Sequence, residues 1–233
     1  MDKLTPMGLV RASWAVFRKD LRVELRTRYA LNALAMFVLT TVLVASFYLG
    51  PQLLVQDANA AATLATLLWI AILFAALTGL ARAFVGEEEA QTSTFLRLHA
   101  PGLAVFWGKW LVNVLLLSMV VVGATLLFGI LTALRVANIP LIGITLGLGG
   151  LGLSSVATII GAIIAQATAR SALFAVLAIP VLFPLLVLAV QTTEWALVGR
   201  SIGDALRNII GMGAFVVALT TASVLLFPFV WEA

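Results

Sequence analysis

Six continuous apolar runs set the terms for this chain, because each is close to the roughly 20 residues that a helix needs to cross a bilayer. They are Leu31–Leu49, Ala61–Ala83, Trp107–Leu131, Leu141–Ala167, Leu173–Val190 and Ile209–Phe229. A transmembrane β-barrel would instead show segments of about 10 residues with alternating polarity. A soluble fold lacks the polar surface it would need: 63% of the 233 residues are hydrophobic and 10% are charged, against about a quarter charged in an ordinary soluble domain. Lipid is the remaining solvent for so much apolar side chain. There each backbone polar group must be paired inside its own segment, as a helix does. The expected fold is an all-α membrane protein with six transmembrane helices. The absence of cysteine excludes disulfides and thiolate metal sites.

Ahead of the first run, Val10, Trp14, Phe17, Leu21 and Leu25 recur at spacings of three or four, while Arg11, Arg18, Arg22 and Arg26 fall mostly on the opposite side. This pattern predicts an amphipathic interfacial helix. Trp14 and Phe17 would sit in the acyl boundary, with Arg18 and Arg22 among anionic headgroups of the lipid bilayer. The plainer alternative is a surface helix packed on the protein's own loops. The chain then divides into residues 1–30, a cytoplasmic interfacial helix, and residues 31–233, the transmembrane domain. Basic residues assign the sides. With the N-terminus inside, Lys3, Arg11, Arg18, Lys19, Arg22, Arg26, Arg28, Arg82, Arg97, Lys109 and Arg170 are cytoplasmic, leaving only Arg135, Arg200 and Arg207 outside. That imbalance predicts a cytoplasmic N-terminus, and six crossings return the C-terminus to the same side. The net charge of +4 expresses this asymmetry and implies no nucleic-acid partner.

The longest polar break, residues 82–109, is too apolar for a flexible linker. Phe95, Leu96 and Leu98 would bury a face, Glu87, Glu88 and Glu89 would stay solvated, and Thr92, Ser93 or Thr94 could cap a short helix that ends before Pro101. Such a helix suits the docking of a separate motor protein; a solvated acidic loop is the plainer reading. In the fourth run, Gly143, Gly147, Gly150, Ser154, Ala157 and Gly161 form a small-residue stripe at helical spacing. Small stripes let helix backbones approach closely in lipid, either within the chain or against a second copy. The spanning cores carry no obvious charge, which argues against an ion-coupled relay. Pro180 and Pro184 interrupt the helical hydrogen-bond ladder of the fifth run. The Gly102–Lys109 segment misses the phosphate-loop spacing, and Trp110 stands where Ser or Thr is needed. His99, the single histidine, has no companion ligands. Ser154 and Ser155 lack a base in reach, so an intramembrane hydrolase is disfavoured.

The segment EEEAQTSTFLRLHAP, Glu87 to Pro101, resembles the short cytoplasmic helix of type-2 ABC exporter permeases. A broader match from Leu80 to Asn113 takes in Arg82, Phe84, the acidic run, Leu96, Leu98, Pro101 and Gly108–Lys109. It is similar to the CcmB family of haem exporter membrane subunits. A second match, Leu153 to Thr193, holds Ala169–Arg170, Pro180, Pro184 and the closing AVQTT. Gln91 and Thr94 depart from the family's usual Gly and acidic residue in the loop. The resemblance covers nearly the whole chain and implies a type-2 ABC exporter permease-like fold in the bacterial inner membrane. It further implies two copies on a cytoplasmic ABC ATPase, together with a haem-handling membrane protein and a periplasmic haem chaperone serving c-type cytochromes. No cofactor would bind this subunit directly: ATP belongs to the partner and haem to the complex. Glu87, Glu88, Glu89, Thr92, Phe95, Leu96, Leu98 and Pro101 would then be the ATPase-coupling residues. A type-2 permease for a polysaccharide, lipid or drug, and a non-transporting scaffold for cytochrome assembly, are the alternatives.

Overall fold

The computed structural model describes residues 6–53, 58–80, 84, 87, 96–97, 100–131, 136–165 and 170–232. The long helices among them are α1 (Pro6–Thr27), α2 (Tyr29–Leu53), α3 (Ala58–Gly79), α4 (Gly102–Leu131), α5 (Ile139–Ala165), α6 (Arg170–Leu197) and α7 (Ile202–Glu232). The protein is an all-helical membrane fold. Five helices, α3 to α7, are long and apolar enough to cross a membrane, and α2 carries a shorter described apolar stretch, Ala35–Phe47.

Helix α5 runs through the middle, packed on α6, α7 and α4, while α3 lies against α2 and α6. Its sequence accounts for that position. Gly149 meets Trp69 of α3 so closely that a Cβ would fall 2.0 Å from the indole, and a Cβ on Gly152 would fall 2.4 Å from Leu185 of α6. Trp69 is held there by a bond from its indole N–H to Thr193 Oγ1 at 2.8 Å. The expected small-residue stripe is therefore split. Ser154, Ala157 and Gly161 are buried, but Gly143, Gly147 and Gly150 meet no other described part of the chain within 4 Å of a Cβ. Within one chain the close contacts belong to glycines one or two positions away, because α3 and α6 approach a different face of α5.

Three boundaries also differ from expectation. Helix α1 and α2 form a bent rod whose joint is Arg28, the one described non-glycine residue at positive φ (53°). The Glu24 carboxylate accepts from the Leu31 N–H at 3.0 Å, supplying the cap that α2 needs after the bend. Helix α4 starts at Gly102, not Trp107, with the Pro101 carbonyl accepting from the N–H groups of Ala104 and Val105. The expected 82–109 loop therefore gives up its last eight residues to helix. Finally, the interval between the fifth and sixth apolar runs, Gln191 to Asn208, is mostly helix. Helix α6 ends in a Gly199 cap (φ 83°) with Arg200 N–H donating to the Trp195 carbonyl at 2.9 Å. Ser201 and Asp204 then exchange the reciprocal bonds that open α7, with Ser201 N to Asp204 Oδ2 at 3.1 Å and Asp204 N to Ser201 Oγ at 3.2 Å. Asn138 binds this turn through its side chain to the Arg200 carbonyl and through its N–H to the Ala196 carbonyl.

Candidate functional site

At the opposite end of α4 the polar and aromatic residues of four chain segments converge. The convergence starts from a glycine. Gly108 allows α1 to cross α4 at contact distance, since a Cβ there would stand 2.6 Å from Val16 Cβ and 2.9 Å from the Ser13 carbonyl. The crossing brings Lys19 and Asp20 of α1 beside Lys109, the next residue on α4.

Glu87 completes a ring of two cations and two carboxylates. Lys109 Nζ lies 3.1 Å from Asp20 Oδ2 and 3.2 Å from Glu87 Oε2. Lys19 Nζ lies 3.0 Å from Asp20 Oδ1 and is also hydrogen-bonded to Glu87 Oε1. The Lys109 side chain is fully buried, those of Asp20 and Glu87 are nearly so, and that of Lys19 is 45% exposed. The ring holds two cations and two carboxylates, so opposite charges compensate one another at low exposure. Burial alone would lower the Lys19 pKa, but the Asp20 and Glu87 carboxylates outweigh it and hold the ammonium above its ordinary 10.5. Lys109 also stands 4.7 Å over the ring of Phe84, a placement that the electron-rich face of an aromatic ring favours.

Phe84 leads into an aromatic cluster. Its ring lies 5.8 Å from that of Phe227, which stacks on Trp231 at 5.7 Å and meets Phe106 edge-on at 5.3 Å. Arg97 places its guanidinium 5.3 Å above Trp231. Leu96 and Ala100 pack on the same cluster with Val105, Ala162 and Ala165. The end of α7 is thereby joined to α4, α5 and the 82–101 stretch. One helical turn deeper the contacts become hydroxyl-based. Trp110 Nε1 donates to Ser155 Oγ at 2.9 Å, Ser155 Oγ lies 2.8 Å from Thr220 Oγ1, and Asn113 Nδ2 donates to Thr158 Oγ1 at 3.0 Å. Ser155 is thus engaged in linking α4, α5 and α7.

Two expectations are corrected here. Glu87 is not a solvated member of an acidic loop face: it is 8% exposed and turned inward, because two lysines offer it charge partners. Lys109 is no loop residue, and α4 does carry a charge within its helical length. Leu96 and Pro101 are half-buried, Leu96 against the aromatic cluster and Pro101 at the start of α4. Glu88, Glu89, Thr92, Phe95, Leu98 and His99 lie outside the described residues. On α1, Trp14 is exposed and stacks at 4.9 Å on half-buried Phe17, with Arg18 and Arg22 exposed. Sequence reading missed Lys19, Asp20, Asn113 and Thr158; with the apolar run starting at Trp107, Lys109 stood at a span edge and called for no buried partners.

The chain is 28% identical over 187 residues to heme exporter protein B of Bradyrhizobium diazoefficiens, an alignment covering 79% of this chain and 82% of that protein. A family model described as CcmB protein matches residues 11–233, the helices α2 to α7 together with most of α1. The chain belongs to the CcmB protein family.

Proposed function

We propose that this chain is the membrane subunit of a haem-export system serving c-type cytochrome biogenesis, driven by ATP hydrolysis on a separate ABC-type ATPase. Family membership and the name of the relative support the haem assignment. The observation that carries the coupling is the attachment of Glu87 and Phe84 to α1, α4 and α7 at a single place. A force applied to residues 82–101 reaches three helices at once. Helix α4, about 45 Å long at 1.5 Å per residue, carries the displacement toward the far end, where Asn138 holds the α6–α7 turn.

In this reading Glu88, Glu89, Thr92, Phe95 and Leu98 present the docking face, and Glu87, Leu96 and Pro101 anchor it from within. The protein lies in the bacterial inner membrane with six crossings, α2 included, and both termini are cytoplasmic. Two copies sit on the ATPase pair, and the far turns act on a haem-handling membrane protein and a periplasmic haem chaperone. The export step releases the haem-loaded chaperone.

Mild-detergent copurification from the native membrane, with partners identified by mass spectrometry, tests this. A small ATPase and a haem-binding membrane protein should accompany the chain, and a Phe95→Ala, Leu96→Ala variant should lose the ATPase. Recovery without an ATPase would overturn the coupling, and an ATPase without haem proteins would overturn the substrate.

A further inference from the structure

Helix α1 has three faces, and the described chain packs on only one of them. Ser13, Val16 and Asp20 turn toward α4. Beside them Met7 (71%), Val10 (67%), Trp14 (53%) and Leu25 (52%) are exposed, an apolar strip that no described part of the chain covers. On the remaining face Arg18, Arg22 and Arg26 are spaced four residues apart and, with Ala15, Lys19 and Val23, line an open groove of about 460 Å³.

The three arginines of that groove, unlike Lys19, have no described counter-ions. Asp20 and Glu87 are committed to Lys19 and Lys109, and Glu24 accepts from the Leu31 N–H. Among the described residues no carboxylate pairs with Arg18, Arg22 or Arg26. The helix also sits at a definable depth. Lys109 is the last charged residue before Trp110–Leu131, a stretch of about 33 Å at 1.5 Å per residue, which matches the hydrocarbon thickness of a bilayer. Since α1 crosses α4 at Gly108, it lies at the boundary between acyl chains and headgroups.

We infer that the Arg18–Arg22–Arg26 groove is a binding site for the phosphate headgroup of an anionic phospholipid, with the Met7–Val10–Trp14 strip receiving its acyl region. A soluble phosphate would satisfy the arginines but leave the apolar strip in water; a lipid satisfies both. This rests only on the protein's being a membrane protein and holds whatever substrate the complex handles.

Spin-labelled lipids in bilayers containing the reconstituted full chain report the site directly, through the fraction of label that the protein immobilises. Phosphatidylglycerol should be immobilised in preference to phosphatidylcholine. The R18Q/R22Q/R26Q variant should bring the two lipids to nearly equal immobilisation, given the attraction of each basic residue to an anionic surface. The corresponding triple Lys variant should keep most of the preference, separating charge from any change in fold. Equal immobilisation of the two lipids by the wild type, or an unchanged preference in the triple Gln variant, would overturn the site. Displacement of phosphatidylglycerol by inorganic phosphate beyond that by sodium chloride of equal ionic strength would mark a soluble-anion site and overturn the lipid assignment.

Discussion

Lys109 sets the behaviour of the ring around it, because its charge has no exposed side-chain surface and is compensated by Asp20 and Glu87. Removing one partner of a buried ion pair costs about 3–5 kcal/mol, mainly by leaving the opposite charge without compensation. Lys109→Met should therefore destabilise the detergent-solubilised protein by about 3 kcal/mol in denaturant unfolding. Adding Glu87→Gln restores neutrality and should recover at least about 1 kcal/mol, a coupling that a double-mutant cycle reads. Lys19 gives the pH dependence. Its folded pKa is raised above 10.5, so its contribution is complete below 10.5 and disappears as pH climbs through the folded value. The unfolding midpoint should show no Lys19 effect from pH 7 to 9 and should fall above about 10.5. Lys19→Arg should suppress that fall, because guanidinium stays charged. None of this ring was legible from spacing. A lysine beside tryptophans reads as the edge of a span, and its partners stand 22 and 89 positions away in the chain.

At the scale of the helices, legibility depended on whether a property was local. The apolar period of each run, the need for small residues on α5 and the Pro180–Pro184 pair inside α6 are all written in consecutive residues. Which glycines make the contacts is not, since Gly149 faces Trp69 only because α3, some 80 residues earlier, lies on that side. Gly149→Ala places a methyl into the indole and should destabilise by about 1–3 kcal/mol. Gly143→Ala, with nothing near its Cβ, should stay within about 0.5 kcal/mol of wild type or gain slightly. Thermal unfolding of both variants in detergent checks the pair; equal effects would contradict the α3–α5 packing. The interval between the fifth and sixth apolar runs, Gln191–Asn208, hides its helical character for a related reason. Its polar side chains suggested a loop, but Thr192, Thr193 and Asn208 are buried and find partners such as Leu188 O and Gln191 Oε1 within the helices.

The whole molecule follows from composition more directly than any part of it. Only helices resolve so much apolar surface with so few charges, and the all-α membrane fold was readable on that ground alone. Its division of labour was not. One end gathers an ionic ring and an aromatic cluster around the 82–101 stretch, and the other is closed by the short turns that Asn138 links. In the proposed coupling, force passes from one face of the membrane to the other through these packed helices and enters at the ring. The most direct test of that claim is ATP hydrolysis by the complex reconstituted in proteoliposomes, with wild-type chain or with Glu87→Gln. The variant should still bind the ATPase but show haem-partner-dependent turnover reduced about tenfold, within the span expected for loss of a coupling free energy. Unchanged turnover together with unchanged cytochrome maturation would contradict it.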